Sequence, residues 1–320
     1  MGAILSAASL TGLSLRAQQP QANKQAVAQD ETEDAVKVDI YTKFVNNYKS
    51  NKKLAYQIGK DYLQRYGKDK DRYATYVRDW MAGYEFDERP HELWRVSYTD
   101  RNFVEAFKLG KQVLTEQPDL LDSLIALGNA GYIAASARNN TYDKEAIGYA
   151  SRAIQLIEAG KIPENWEPYK GKDEALAYLY STVGILELKP TPNEAVEPLF
   201  KSTQFESELK KLPSTYYYLA QAYQAGPYKK LSDDYQTHFA GKPETPESKQ
   251  LLEKLDQVID LMIDAYARAV ALAGNDAQNA QNKATWMSTL TTFYKFRHQN
   301  SDAGLTELIA GVVAKPLPKL

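Results

Sequence analysis

The chain has 320 residues, with 39 Lys and Arg against 41 Asp and Glu, so no overall charge marks it for nucleic acid or a membrane surface. It has no cysteine, which excludes disulfides, thiol catalysis, Cys-ligated zinc and iron–sulfur clusters, and removes the cysteine that a bacterial lipoprotein needs for acylation. Tyrosine is over-used at 23 residues, and its apolar ring with a polar tip suits helix packing and groove lining equally.

Residues 3–15 are uncharged and mostly apolar, too short a run to span a bilayer, and match the apolar part of a secretory signal peptide with a cleavage point after Ala17. The alternative is a disordered cytoplasmic N-terminus, because no positive charge precedes the run and Leu15 fits the cleavage point poorly. The expected location is therefore periplasmic or secreted, with the cytoplasm as the alternative. Residues 18–34 lack the apolar content to fold and read as a linker, so 1–34 forms one leader segment.

Helical periodicity sets in at Ala35. Tyr41, Phe44, Val45 and Tyr48 form one stripe. Leu54, Ile58 and Leu63 form a second beside Tyr56, Tyr62 and Tyr66, and Tyr73, Val77, Trp80 and Tyr84 form a third. Short breaks at Ser50-Asn51 and Gly67-Lys68-Asp69 predict antiparallel neighbours, and residues 35–87 read as a helical cap. The charge-rich run over 37–78 reads as solvated helix faces.

About five helix pairs are expected over 88–315. The first carries Leu93 and Trp94, then Phe103, Ala106 and Gly110; the second carries Leu127-Gly128, then Ala146, Ala150 and Ala153. Residues 160–172 form a loop expected to be pinned by Trp166. The third pair has Tyr180, Val183 and Gly184, a break at Pro190-Thr191-Pro192, Asn193 as helix cap, and Pro198 within the run. The fourth opens with Tyr216, Leu219, Ala220, Ala222 and Tyr223, and then 227–248, rich in Pro, Lys, Asp and Thr, reads as an inserted loop. Its second helix resumes through Leu251, Leu255, Ile259, Met262, Tyr266 and Ala269. The fifth pair has Trp286, Leu290 and Phe293, then Leu305, Leu308 and Ile309, and Pro316 and Pro318 stop it. No segment alternates with period two for the length of a strand, so the fold class is all-α.

No catalytic motif stands out. His91, His238 and His298 are scattered without ligand spacing, and there is no P-loop, dinucleotide fingerprint or nucleophile elbow. Asp233-Asp234 lies in a polar stretch where nothing would raise one carboxyl, as glycosidase-type chemistry needs. Neither a metal nor a cofactor is expected, and the chain does not read as an enzyme.

The spacing of Phe103, Ala106, Gly110, Pro118 and Leu127-Gly128, with its echo over 216–223, resembles the tetratricopeptide repeat, a helix-turn-helix unit of about 34 residues. The resemblance implies a right-handed α-solenoid of antiparallel helix pairs that binds a partner in the groove lined by the first helix of each pair. Carried onto this chain, that groove is His91, Arg95 and Tyr98; Ile125, Asn129 and Tyr132; Tyr178 and Ser181; Tyr217, Gln221 and Gln224; and Thr291, Tyr294 and Lys295. Members that clamp the C-terminal carboxylate of chaperones use convergent Lys, Arg and Asn. Here those places read His91, Arg95, Ala126, Tyr178 and Thr182, so that clamp is absent.

The expected function is a scaffold or adaptor that holds a protein or peptide segment, with tyrosines as anchors and Asn129 and Gln221 bonding its backbone. Nucleic acid is not an expected partner and no transmembrane span is expected, although a peripheral place in a membrane complex is compatible with the reading. An exported carbohydrate-binding protein using the same aromatics is the alternative, and an uncharacterised helical enzyme the next.

Overall fold

The computed structural model describes residues 21–319, and every regular element among them is helical. The chain divides into two compact units, one ending at Glu88 and one beginning at Arg89. The expected signal peptide, with its cleavage point after Ala17, lies outside the described residues.

In the first unit, α1 (Gln21–Asn47) covers much of what reads as linker, so the polar stretch up to Asp34 is helical rather than unstructured. α2 (Lys52–Tyr66) is capped by Asn51, whose side chain accepts from the Leu54 amide. Its buried stripe is Ala55, Gly59, Tyr62 and Tyr66, one position off the aliphatic stripe read from sequence, and Leu54 is exposed. The shift follows from volume: Gly59 lets the Met81 and Val77 side chains of α3 approach its Cα. Phe44 from α1 fills the middle, edge-on to Trp80 at 5.1 Å between centroids. Lys37 pairs with both Asp69 and Asp71, and Asp71 also caps α3 by accepting from the Tyr73 and Ala74 amides.

α3 (Arg72–Tyr98) is one helix where the sequence suggested two, and it carries Pro90 inside it. Its last turns, from Arg89, belong to the second unit, where Leu93 and Val96 pack with Ala106 and Phe107 of α4 (Phe103–Glu116). The chain continues through α5 (Leu121–Ser136), α6 (Asp143–Glu158), α7 (Lys172–Glu187), α8 (Pro192–Ser202) and α9 (Pro213–Tyr223). After a π-helical turn at Gln224–Tyr228 come α10 (Lys229–His238), α11 (Pro246–Ala273), α12 (Ala280–Arg297) and α13 (Leu305–Gly311).

Neighbours in the chain are neighbours in space. α4 packs on α5, α5 on α6, α6 on α7, α7 on α8, α8 on α9, α9 on α11 and α11 on α12, with α5 also against α7. Small residues set the closest approaches: a Cβ on Gly131 would stand 2.1 Å from the Ala146 Cβ, and one on Gly128 would meet Ala150 at 3.1 Å.

Two further sequence expectations change. α8 starts at Pro192 behind Thr191, so Asn193 lies inside the first turn and is not the cap; proline at that position pre-sets the helical φ. The segment 227–248 is mostly ordered helix, and only 239–245 connects α10 to α11, which a Thr245–Ser248 capping box opens. The loop 160–171 is held by three anchors: Tyr169 is buried, Trp166 packs on the same cluster, and the Asp122 carboxylate accepts from the Glu164 and Asn165 amides.

Candidate functional site: a tyrosine band and an amide pocket

Helical spacing brings aromatic rings from successive helices of the second unit toward one another. Trp94 and Tyr98, four apart on α3, lie 5.2 Å apart between centroids. Tyr169, from the loop before α7, lies within electrostatic range of Tyr98 and stacks on Tyr178 of α7 at 5.3 Å. Tyr132 of α5 lies within electrostatic range of Tyr178 and of Tyr218 of α9, without ring contact to either. Tyr217 then stacks on Trp286 of α12 at 5.2 Å and lies 6.4 Å from Tyr266 of α11. Tyr132, Tyr178, Tyr217 and Tyr218 are half-buried, so the band is neither core nor free surface.

Electrostatics along the band favour neutral phenols. Burial, followed by the nearby phenol of Tyr98, raises Tyr169 well above the ordinary tyrosine range. Burial also raises Tyr98, Tyr178 and Tyr218, and pushes Tyr266 up to about 12. These hydroxyls therefore keep their protons at neutral pH. The Tyr98 hydroxyl is sealed from solvent beside the Asn129 amide, close enough to feel it, yet short of hydrogen-bond geometry, and it has no other partner among the described residues.

At the α9 end the band meets a polar pocket of about 420 Å³ lined by Gln221, Gln224, Ala225, Tyr228, Lys229, Ser232 and Asp233. Gln221 Nε2 donates to the Tyr266 hydroxyl at 2.5 Å, and that hydroxyl donates to Gln224 Oε1 at 2.6 Å. Lys229 and Asp233 pair at 2.6 Å on the rim. A second cavity, beside the start of α7, is lined by Lys170, Lys172, Lys211, Glu174, Glu206 and Glu208 among others; its charges are matched by ion pairs such as Lys211–Glu208.

Of the residues chosen from sequence, Tyr98 lies beside Asn129, Tyr178 stacks on Tyr169, Tyr217 stacks on Trp286, Tyr132 is half-buried on α5, and Gln221 and Gln224 share the pocket. Others do not. Tyr294 is a correction: it is buried, donates to the Ala303 carbonyl and stacks on His298, because Trp286, Leu290 and Tyr294 form the inward i, i+4, i+8 stripe of α12. Lys295 pairs with Asp302 in the α12–α13 turn, and the Thr291 hydroxyl donates to the Met287 carbonyl. Arg95 is exposed and held by Glu92 and Asp100, and His91 is exposed. Ile125 and Ser181 are buried packing residues.

Sequence spacing missed Tyr169, Tyr218, Tyr266 and Trp286. Tyr169 sits in a loop without periodicity, and the family groove positions skip the other three.

The histidines do not form a site. His238 and His298 each place Nδ1 2.9 Å from the carbonyl four residues back, and no group of three or more His, Asp or Glu among the described residues could hold a metal. No helix among the described residues is long and apolar enough to cross a membrane. Compared with family models, curated proteins and solved structures, the chain matches none of them.

Proposed function

We propose that the unit from Arg89 is a right-handed α-solenoid of tetratricopeptide-like helix pairs. It acts as a non-catalytic scaffold, holding a segment of another protein along the tyrosine band. The observation that carries the reading is the run of half-exposed rings contributed by α5, α7 and α9, with side-chain amides between them and few charges. Tyrosine in such a setting gives contact area at low entropic cost and a donor at its tip, the combination found at interface anchors. Chain-order packing of helices and the close approaches at Gly128 and Gly131 support the repeat architecture.

The test is a cross-linked pull-down from the native organism, fractionated into cytoplasm, periplasm and membrane. It compares the wild type with Tyr132→Ala/Tyr178→Ala and with a control, Phe296→Ala, which lies outside the band and is 67% exposed. A defined protein captured by the wild type and the control, and lost from the double variant, supports the scaffold and gives its compartment. Equal capture by all three removes it. Saturable glycan binding lost on Tyr132→Ala and Tyr217→Ala would replace the peptide with a sugar, and turnover dependent on one carboxylate would replace both.

A further inference from the structure

The pocket beside the π turn has a property that follows from hydrogen-bond arithmetic alone. Tyr266 lies between two glutamines of α9 and its extension, accepting from Gln221 and donating to Gln224. One hydroxyl has one hydrogen to give. Whichever glutamine it donates to, that amide must point its oxygen inward and the other its nitrogen. The two amides are thus locked in opposite orientations, and their outward atoms are one acceptor and one donor. Here these are Gln221 Oε1 and Gln224 Nε2, neither of which has a protein partner among the described residues. Both side chains are half-buried, and both line the pocket. The lock holds while Tyr266 keeps its proton, and its ring is buried to 1% exposure.

We infer that this pocket binds an amide presenting its carbonyl and an N–H on the same edge, specifically the primary carboxamide of an Asn or Gln side chain on the bound segment. The choice of ligand is a matter of geometry. A trans peptide bond turns its C=O and N–H to opposite edges, so a single backbone amide cannot satisfy both outward atoms. A primary carboxamide places oxygen and one N–H side by side. A residue of extended backbone offers the same edge chemistry through its own N–H and C=O. Tyr228 and the exposed Lys229–Asp233 pair line the pocket beside the two amides, and its volume of about 420 Å³ has room for an inserted carboxamide side chain. The assignment rests on the scaffold reading only for what carries the carboxamide.

The experiment titrates the full chain, with its Gln side chains followed by ¹⁵N–¹H NMR, against small amides. Acetamide and 2-pyrrolidinone carry the same-edge pair, N-methylacetamide carries the opposite-edge pair, and N-acetylalanine N-methylamide carries the extended-backbone pair. Acetamide and 2-pyrrolidinone should saturate the Gln224 resonances and bind about fivefold tighter than N-methylacetamide, the equivalent of one net hydrogen bond. Gln221→Glu turns the outward edge into two acceptors, so acetamide should weaken about tenfold while methylguanidinium, a double donor, gains. Tyr266→Phe, nearly isosteric, leaves only the long Gln221 Nε2–Gln224 Oε1 bond of 3.4 Å to hold the lock, and should weaken the preference between acetamide and N-methylacetamide while the circular dichroism spectrum stays that of the wild type. Equal binding of the two amide geometries, no saturation, or tighter binding of N-acetylalanine N-methylamide would overturn the assignment. Tyr132→Ala/Tyr178→Ala leaves this pocket untouched, so unchanged partner capture with the acetamide preference intact marks a failure of the band alone, and lost capture with no acetamide preference in the wild type a failure of the pocket alone.

Discussion

Two glycines on neighbouring helices should respond to the same substitution with opposite signs. Gly131 on α5 faces Ala146 of α6, and an added Cβ would stand 2.1 Å from the Ala146 Cβ and 3.5 Å from its Cα. Both atoms it meets are fixed to backbone, so no rotamer change relieves the clash and the helices must part. Overpacking of this kind costs about 1–3 kcal/mol, while replacing glycine by alanine inside a helix returns about 1 kcal/mol. Gly131→Ala should therefore destabilise the unit from Arg89 by up to about 2 kcal/mol, or several degrees at about 2–4 °C per kcal/mol for a unit of that size. Gly148 on α6 is exposed, and a Cβ there meets nothing within 4 Å. Gly148→Ala should stabilise by about 0.5–1 kcal/mol. Urea unfolding followed by far-ultraviolet circular dichroism reads both. The decisive measurement is a cycle with Ala146→Gly, which removes the opposing Cβ and should show a coupling of about 1 kcal/mol or more with Gly131→Ala. Additive effects, or a Gly131→Ala variant as stable as Gly148→Ala, would refute the account of how α5 meets α6.

Other outcomes are equally open to measurement. Tyr98→Phe removes a hydroxyl that is buried without a hydrogen bond, so it should leave stability unchanged or raise it by about 1 kcal/mol in a thermal melt, whereas Tyr180→Phe loses the 2.6 Å bond to Glu158 and should lower it. Arg268 is 4% exposed, pairs with Asp264 at 2.6 Å and donates to the Lys315 and Pro316 carbonyls. Arg268→Leu should cost about 3 kcal/mol by stranding Asp264, and NMR relaxation should show the chain around Lys315 loosened. In the first unit, the Ala74 amide, then Lys37, holds Asp71 below the ordinary carboxylate range. Because its folded value is depressed, the stability it confers is present above an unfolded value of about 3.9 and is lost as pH falls through the folded one. Asp71→Asn keeps an N-cap acceptor and loses the charge, so it should trail the wild type at pH 7 by no more than about 1 kcal/mol and converge with it in acid, as read by urea midpoints across pH.

The helices were legible in the sequence because their stripes recur at 3–4 residues, and α4, α5, α9 and α11 carry them plainly. Where reading failed, a local signal outweighed the packing. The boundary read between 87 and 88 separates the Tyr73–Tyr84 stripe from the first pair, but α3 runs through it, with Pro90 inside, as one helix from Arg72 to Tyr98. Gly226-Pro227 followed by lysines and aspartates looks like a loop, yet a π turn accommodates the pair and leads directly into α10. Gly226 is needed there for a reason sequence cannot display: a Cβ would come within 2.9 Å of the Pro192 carbonyl and the Asn193 amide at the start of α8. Among the candidate site residues, Tyr132 on α5, Tyr178 on α7 and Tyr217 on α9 share half-buried positions on helices that pack in chain order. On α12 the transferred spacing named Tyr294, which the structure places on the inward stripe, while Trp286, taken only as packing, stacks on Tyr217.

The π turn also sets a phase. From Pro213 to His238 the chain is one rod wound in three parts, α9, the π turn and α10. A single wide turn takes up roughly one extra residue, and one residue is about 100° of helical rotation. Deleting Ala225 would let the rod close as ordinary α-helix and swing everything after it by that angle. Tyr228, Ser232 and Asp233 would leave the wall they share with Gln221 and Gln224 without any of them being changed. The composition of the pocket is thus written partly in a count, and a one-residue deletion is a sharper edit to it than most substitutions.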